Sequence, residues 1–362
     1  MDAGNGRASV SCFLPRASGT CQGPHANFWG DPHLTTFDGL RYDCQGAGEF
    51  VLAKSSGADP LLITGRFVRS TSPQRTVTIG RAVGVKVDEN VPTIQVSTQE
   101  RGQCTLQFTY GDSQLDVPSG DVGFFERNYP NKVRAYADNV RQNAVFIFPG
   151  YAARVNINVR STESFGCMMR IDLCLTTENH GGGENIVGLF GSPTGDMTDD
   201  WMQSEQNGGA PVDIPIGSTR AMYTEAYDYC MDNWCIDNAN SSLFSEQNFN
   251  TYNFCPERNF DADGFIELLS FLPDVIVNGC AETDHPEECQ LDAMIAATER
   301  GEDPFQYIEG IKSSDLQMTE LVAIQESELQ QDGGRDGWCR QESSGANGDP
   351  HCKRLFHHAI RS

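Results

Sequence analysis

Residues 29–42 read Trp-Gly-Asp-Pro-His-Leu-Thr-Thr-Phe-Asp-Gly-Leu-Arg-Tyr, and this stretch decides the fold prediction. Its first half is a Gly-Asp-Pro-His turn beside Trp29, in which Pro32 fixes its own φ and disfavours helix at the preceding residue. Its second half leads from β-forming residues into a corner at Asp38. The stretch therefore predicts a strand, a turn and a second strand, although an isolated Asp-Gly of this kind is most often only a turn.

Short runs of β-forming residues continue from residue 49 to residue 148, with turn residues between them. Two later runs, 153–160 and 169–175, alternate apolar and polar side chains, so we expect each to bury one face and expose the other. Many antiparallel strands without an intervening helical pattern predict a β-sandwich. The earlier runs are Glu49–Lys54, Leu61–Arg69, Arg75–Val87, Thr93–Thr98, Gln103–Tyr110, Lys132–Ala137 and Ala144–Phe148.

Beyond residue 209 the spacing of apolar residues becomes helical. The predicted helices are Ser218–Ile236, Phe265–Phe271, Cys289–Ala297 and Asp315–Leu329. The fold class is thus mainly β in the first half, followed by a small disulfide-rich α-helical module. The predicted divisions are a leader or linker at 1–20, a sandwich domain at 21–206, a cysteine-rich helical module at 215–298 and a helical, polar linker at 299–345.

Residues 348–351 repeat Gly-Asp-Pro-His. Residues 346–362 are therefore either the truncated start of a second repeat or a chance recurrence of four residues.

The cysteine count indicates an oxidising compartment. Thirteen scattered cysteines favour disulfides, and an odd number leaves at least one without a partner in the chain. Zinc is less well supported, because the closest pair, Cys230 and Cys235, has four residues between its members and no matching second pair. Residues 1–20 show no secretory signal, which for a secreted-type protein suggests a fragment or an imperfect gene start.

Charge and hydropathy exclude two classes of partner. A net charge of −24 argues against nucleic acid, because phosphate binding needs clustered Lys and Arg, whereas such a surface suits divalent cations. No apolar run approaches the roughly 20 residues that a membrane span requires, so no transmembrane segment is expected in this sequence.

A second motif, at residues 188–201, reads Gly-Leu-Phe-Gly-Ser-Pro-Thr-Gly-Asp-Met-Thr-Asp-Asp-Trp. Together with residues 29–42 it resembles the von Willebrand factor type D domain, and the resemblance covers roughly residues 21–206. It implies the same β-sandwich. The five cysteines from Cys230 to Cys289 resemble, by density and order, the cysteine-rich helical module that often follows this domain.

Carboxylates and hydroxyls alternate through the second motif, which suits a hard cation with six to eight oxygen ligands, although most such clusters are solvated acidic turns. The family resemblance implies a calcium site that pins the first strand to a late one. Family members often carry Asn or Asp where this chain has Ser192 and Thr194, so a weaker or water-completed site is expected. The implied ligands are the side chains of Asp38, Ser192, Thr194, Asp199 and Asp200 and the carbonyl of Asp196.

The resemblance also raises self-cleavage, because some type D domains break the Asp-Pro bond of this turn and leave an anhydride. Here Asp31 would attack, Pro32 would leave and His33 would carry the proton, in a single-turnover event. The competing interpretation is a structural turn. The sequence has no motif of a conventional enzyme, so no catalytic residues are assigned. Val187-Gly188-Leu189-Phe190 replaces the Cys-Gly-Leu-Cys of mucin-like members, which puts polymerisation through those cysteines in doubt.

The sequence therefore predicts a calcium-stabilised structural or adhesive module of a larger secreted or cell-surface glycoprotein, in a matrix, mucus or cell-surface layer. Its partners would be extracellular or matrix proteins, or further domains of the same protein. The sole sequon, at Asn240, predicts N-glycosylation. Three alternatives stay open: a self-cleaving module that couples covalently to surfaces or partners, a secreted binding or carrier protein, and an unrecognised secreted enzyme. The fold alone does not choose among them.

Overall fold

The structure of the protein is a computed structural model, and it describes part of the 362-residue chain. All described residues belong to the compact unit Cys21–Thr319. They are residues 23–30, 32–55, 61–69, 78–87, 93–100, 104–111, 113–115, 134–138, 143–148, 153–162, 166–175, 186–215, 219–238, 240–244, 255, 273–281, 283, 289, 290, 292–294, 297, 304, 308, 309 and 312.

Strands dominate the first half of the described chain. They are β1 His25–Trp29, β2 His33–Thr35, β3 Arg41–Asp43, β4 Gly48–Ser55, β5 Leu62–Arg69, β6 Thr78–Lys86, β7 Ile94–Glu100, β8 Cys104–Tyr110, β9 Ser113–Leu115, β10 Arg134–Asp138, β11 Asn143–Phe148, β12 Ala153–Thr162, β13 Gly166–Leu175 and β14 Ile186–Val187. Every predicted strand run lies on one of them. The sequence did not predict β9 and β14, which are too short for a visible period.

The strands form two seven-stranded antiparallel sheets. One sheet has the order β10-β11-β12-β13-β1-β2-β3, and the other has the order β14-β4-β5-β6-β7-β8-β9. The sheets face each other across one apolar core. Phe28 on β1 meets Phe67 on β5 with ring centroids 5.1 Å apart, and Phe108 on β8 meets Phe146 on β11 at 6.0 Å. The predicted β-sandwich is confirmed.

The apolar positions of the long hairpin β12–β13 are buried as the alternation predicts. The expected exposure of the opposite face is wrong for β12, because Asn156 and Asn158 are buried too. The amide of Asn158 donates to the side-chain carbonyl of Asn143 at 2.5 Å on the neighbouring strand β11. Since a buried amide is tolerated only when it is hydrogen-bonded, this pair explains why a polar residue occupies a closed position.

Helical structure follows the sandwich. Helix α1, Thr219–Tyr229, continues into a π-helical turn at Cys230–Trp234, which confirms the helix predicted at Ser218–Ile236. Residues 289, 290, 292–294 and 297 are helical, in agreement with the prediction for that segment. A short helix α2, Asp274–Cys280, was not predicted, because its Val-Ile-Val core favours strands. The predictions for Phe265–Phe271, Asp315–Leu329 and residues 346–362 lie outside the described residues.

Disulfides cross-link the described part of the chain, as the cysteine count predicts. The bonded pairs are Cys44–Cys230, Cys104–Cys167, Cys235–Cys255 and Cys280–Cys289. Cys174 is also bonded, and its partner lies outside the described residues. The first of these bridges is the longest in sequence and ties the end of β3 to the end of α1. In the described part of the chain, no helix has both the length and the apolar character needed to cross a membrane.

Candidate metal centre

Backbone hydrogen bonds bring the loop after β14 against the corner after β2. Leu189 and Phe190 donate their amides to the carbonyls of Val51 and Leu52 on β4 at 3.0 and 2.9 Å. The carbonyl of Phe190 then accepts from the amide of Phe37 at 3.0 Å. Two motifs about 150 residues apart in the sequence thus become neighbours, and the loop 188–201 lies directly over the Thr36–Gly39 corner.

Three carboxylates converge at this junction. Asp38, Asp199 and Asp200 each offer an oxygen within 4.8 Å of the other two. The hydroxyl of Thr194 lies between two of them, 3.0 Å from Asp38 and 3.0 Å from Asp199. The amides of Thr194, Gly195 and Asp196 also donate to Asp38 Oδ2, at 3.1, 2.9 and 3.1 Å. The corner carboxylate is therefore fixed by the backbone of the late loop.

Asp200 is the buried member of the cluster. Its Oδ2 accepts from the Thr36 hydroxyl at 2.6 Å, and the backbone amide of Ser192 also lowers the pKa of the carboxyl. Its Oδ1, also buried, meets no partner at hydrogen-bond geometry within the described structure. Burial raises the pKa of this carboxyl to about 7, with the charges of Asp38 and Asp199 adding to the shift. Burial also raises the pKa of Asp199. An unpaired buried carboxylate oxygen is costly, and either a proton on Asp200 or a positive partner would remove that cost.

The charges of the cluster need neutralising. At an effective dielectric constant of about 20, two like charges about 4 Å apart repel by about 4 kcal/mol, whereas a hydrogen bond to a charged group returns only about 1.5 to 3 kcal/mol. The hydroxyls of Thr36 and Thr194 alone do not offset this repulsion, and the three backbone amides compensate only Asp38. A proton or a cation would relieve the repulsion between Asp199 and Asp200, and oxygen ligands suit a hard cation.

Gly191 makes room for the buried carboxylate. It has a φ of +68°, and a Cβ at this position would lie 2.0 Å from Asp200 Oδ1. Only glycine satisfies both conditions. Gly191 and Thr36 were not predicted as site residues, because the sequence pattern indicates only a turn residue at the first position and a β-forming residue at the second.

Comparison with known proteins identifies this architecture. The family model of the von Willebrand factor type D domain matches residues 26–145. This part of the chain is a von Willebrand factor type D domain. The human IgGFc-binding protein is 24% identical over 191 residues, which is 53% of this chain and 3% of that protein. The chain thus spans a small part of the curated relative, and both matches are consistent with an extracellular module of a larger protein.

Two of the ligands implied for the type D domain are engaged elsewhere. The buried hydroxyl of Ser192 donates to the carbonyl of Ile186, away from the carboxylates. The side chain of Asp196 accepts from the amide and hydroxyl of Thr198 at 3.0 and 2.7 Å, and its carbonyl accepts from the amide of Asp199 at 3.2 Å. The structure therefore brings together Asp38, Thr194, Asp199 and Asp200 from the predicted set.

An aromatic cluster joins the three carboxylates to helix α1. Trp201, next to Asp200, stacks on Tyr229 with ring centroids 4.8 Å apart, and Tyr42 meets Trp201 edge-on at 5.4 Å. The hydroxyl of Tyr42 donates to the carbonyl of Leu189 at 2.5 Å, and the indole N–H of Trp234 donates to the Tyr229 hydroxyl at 2.8 Å. The helical region thus packs directly behind the carboxylates.

The Gly-Asp-Pro-His turn of the type D domain lies between β1 and β2. Asp31 is outside the described residues, whereas Pro32 and His33 are buried. His33 Nδ1 lies 2.7 Å from Asp43 Oδ1, and its Nε2 lies 3.2 Å from Asp292 Oδ1. Neither carboxylate was predicted, because Asp43 reaches His33 through the register of the β2–β3 hairpin and Asp292 reaches it through packing over 259 residues.

The glycosylation sequon lies in the helical region. Asn240 is exposed in a turn, and the hydroxyl of Ser242 donates to Glu49 Oε2 at 2.5 Å. The asparagine is accessible, and its glycosylation stays a prediction.

Proposed function

We propose that this chain is a structural or adhesive module of a larger extracellular protein, and that one calcium ion stabilises its type D domain. Extracellular or matrix proteins, or further domains of the same protein, would be its partners, with no turnover of a substrate. The match to the IgGFc-binding protein covers too little of that protein to transfer the binding that its name describes.

The convergence of Asp38, Asp199 and Asp200 is the observation that carries the calcium proposal. Two oxygens that each lie about 2.4 Å from one calcium ion are at most about 4.8 Å apart, so three oxygens within this separation fit a single ion. The partnerless Oδ1 of Asp200 supports the same conclusion. The hydroxyl of Thr194 would supply a neutral ligand, and waters would complete the shell.

The ion would stabilise the fold by closing a long loop. Asp38 belongs to the corner before β3, whereas the other ligands follow β14, so a shared ion cross-links the two ends of the type D domain. Bound calcium would also remove the repulsion among the carboxylates, which the backbone amides offset only in part. Because the unfolded chain has no preformed site, binding free energy appears as folding free energy.

Calcium is expected to raise the melting temperature of the full, oxidised chain. At a hundredfold excess over the dissociation constant, a ligand that binds only the native state adds about 2.7 kcal/mol, which for a unit of this size is a rise of roughly 5 °C or more. Differential scanning calorimetry with millimolar calcium and with chelator measures the rise.

Asp38→Asn is expected to abolish that rise, because it removes a ligand charge and keeps the shape of the side chain. Asp213→Asn is the matched control, since Asp213 is exposed and lies outside the cluster. A calcium-dependent rise that survives in Asp38→Asn, or no rise in the wild type, would refute the proposed site.

Self-cleavage at the Asp31–Pro32 bond is the alternative function that the motif suggests. Both ring nitrogens of His33 bond carboxylates, which argues against proton transfer from His33 to the nitrogen of Pro32. We therefore expect the reduced, denatured chain to keep one intact mass after incubation at mildly acid pH. Mass spectrometry that finds a 31-residue piece and the remaining 331 of the 362 residues would instead establish cleavage.

A further inference from the structure

The ring of His33 lies between two buried carboxylates that come from opposite ends of the compact unit. Asp43 ends β3, only ten residues along the chain, whereas Asp292 belongs to the helical residues 292–294 and is 259 residues away. The exposed fractions of the side chains are 1% for His33, 8% for Asp43 and 0% for Asp292. Water therefore cannot substitute for either bond.

Gly30 and Trp29, which precede His33 in the chain, also lie close to the contact between His33 and Asp292. A Cβ on Gly30 would lie 2.8 Å from Asp292 Oδ2 and 3.0 Å from the His33 ring, and Gly30 has a φ of +65°. The indole of Trp29, on β1, packs against the imidazole with ring centroids 4.8 Å apart. Two charged groups lie against the ring: Asp43, from β3, and Asp292, from the helical region.

The number of protons on the His33 ring decides whether both of its hydrogen bonds, to Asp43 and to Asp292, can form. An ionised carboxylate only accepts hydrogen bonds, so each ring nitrogen must carry a proton to donate to its carboxylate. A neutral imidazole has one N–H, and its other nitrogen would present a lone pair to a buried carboxylate. The imidazolium satisfies both partners, and each bond is then charge-assisted. Loss of one proton breaks one bond, and the longer bond, to Asp292, is the weaker of the two.

We propose that the contact of His33 with Asp43 and Asp292, here named the joint, depends on pH. It holds the helical segment around Asp292 on the sandwich while the ring carries both protons, and it releases that segment as the pH rises. The joint is independent of the cation site, because it shares no residue with Asp38, Thr194, Asp199 or Asp200. Helix α1 stays in place on release, since the Cys44–Cys230 bridge and the stacking of Trp201 on Tyr229 hold it separately.

The direction of the pH dependence follows from the bonds. His33 gains two acceptors on folding, so the joint contributes its full stability below the pH at which an unfolded histidine loses its proton, near about 6.5. That contribution is lost as the pH rises through the point at which His33 itself deprotonates in the folded chain. Because one proton is involved, the opening equilibrium changes by at most about tenfold per pH unit.

Side-chain NMR of the full chain, saturated with calcium, tests the protonation state first. We expect the His33 ring to carry two protons at pH 7.5, about one pH unit above the pKa of about 6.5 of an unperturbed imidazole. A His33 ring that is already neutral at pH 7 would overturn the proposal, and this measurement requires no variant.

Hydrogen exchange between pH 6 and pH 9, corrected for its ordinary base catalysis, tests the release. Amides of residues 274–294 should lose protection by up to about tenfold per pH unit once His33 deprotonates, while those of β12 keep theirs. Asp292→Asn should flatten this dependence, because an amide donates to a neutral ring and accepts from a charged one. Asp213→Asn, which makes the same change of charge on the surface, should behave as the wild type. Protection that does not vary with pH in the wild type, or that varies equally in Asp292→Asn, would overturn the joint.

Discussion

Gly191→Ala is expected to lower the free energy of unfolding by about 2.5 to 5 kcal/mol. The backbone at this position has a φ of +68°, which costs a residue with a side chain about 1 to 2 kcal/mol. The added Cβ would also lie 2.0 Å from Asp200 Oδ1, so the buried carboxylate must move away from Thr36. Losing a hydrogen bond to a buried charged group costs about 1.5 to 3 kcal/mol more. Chemical denaturation in chelator measures the sum.

Gly195→Ala separates the two contributions. Gly195 has a φ of +88°, and nothing lies within 4 Å of the Cβ that it would acquire. This variant should therefore lose only the conformational cost, about 1 to 2 kcal/mol, and should keep its stabilisation by calcium. If the two variants are equally stable, Asp200 moves without penalty, and the tight approach of Gly191 does not position the carboxylate.

The sandwich was predictable from the sequence because its strands carry period-two patterns that sheet geometry imposes. Residues 153–160 alternate cleanly, and the structure buries every apolar member of that run. The same pattern wrongly predicted that the opposite face of β12 is exposed. A local period does not reveal that Asn158 pairs with Asn143 on the next strand. Helix α2 was missed because burial of Ile276 and the Cys280–Cys289 bridge outweigh the strand preference of its sequence.

The candidate site was predictable only where a motif marked it. The family resemblance named Asp38, Asp199 and Asp200, and the structure brings them together. No feature of the sequence indicates Thr36 or Asp292 as a site residue. Thr36 occupies a position where any β-forming residue fits the pattern, and Asp292 reaches His33 through packing that spans most of the compact unit. A sequence without aligned relatives contains no signal for contacts of this length.

Helix α1 is attached to the type D domain by one covalent and several aromatic contacts, and the covalent one spans the longest loop. Cys44 and Cys230 are separated by 186 residues in the chain and are both completely buried. Cys280 and Cys289 are equally buried but only 9 residues apart. The two bridges therefore differ mainly in the length of chain that each one restrains in the unfolded state.

Replacing both Cys44 and Cys230 with alanine is expected to cost about 5 kcal/mol, and replacing both Cys280 and Cys289 about 2.5 kcal/mol. Both values follow from the loop-closure entropy that each bridge removes from the unfolded chain, which grows with the logarithm of the loop length. The Cys104–Cys167 bridge lies inside the longer loop and shortens it, but the logarithm makes this correction small.

Urea denaturation of the two double variants, in calcium and under non-reducing conditions, measures this difference through the midpoints and slopes. If both variants lose the same stability, the entropy of the unfolded chain is not what the long bridge controls. The aromatic cluster of Tyr42, Trp201 and Tyr229 is present in both variants, so its contribution does not enter the comparison. A loss that is larger by about 2.5 kcal/mol for the Cys44 and Cys230 pair is therefore the difference that the two loop lengths predict.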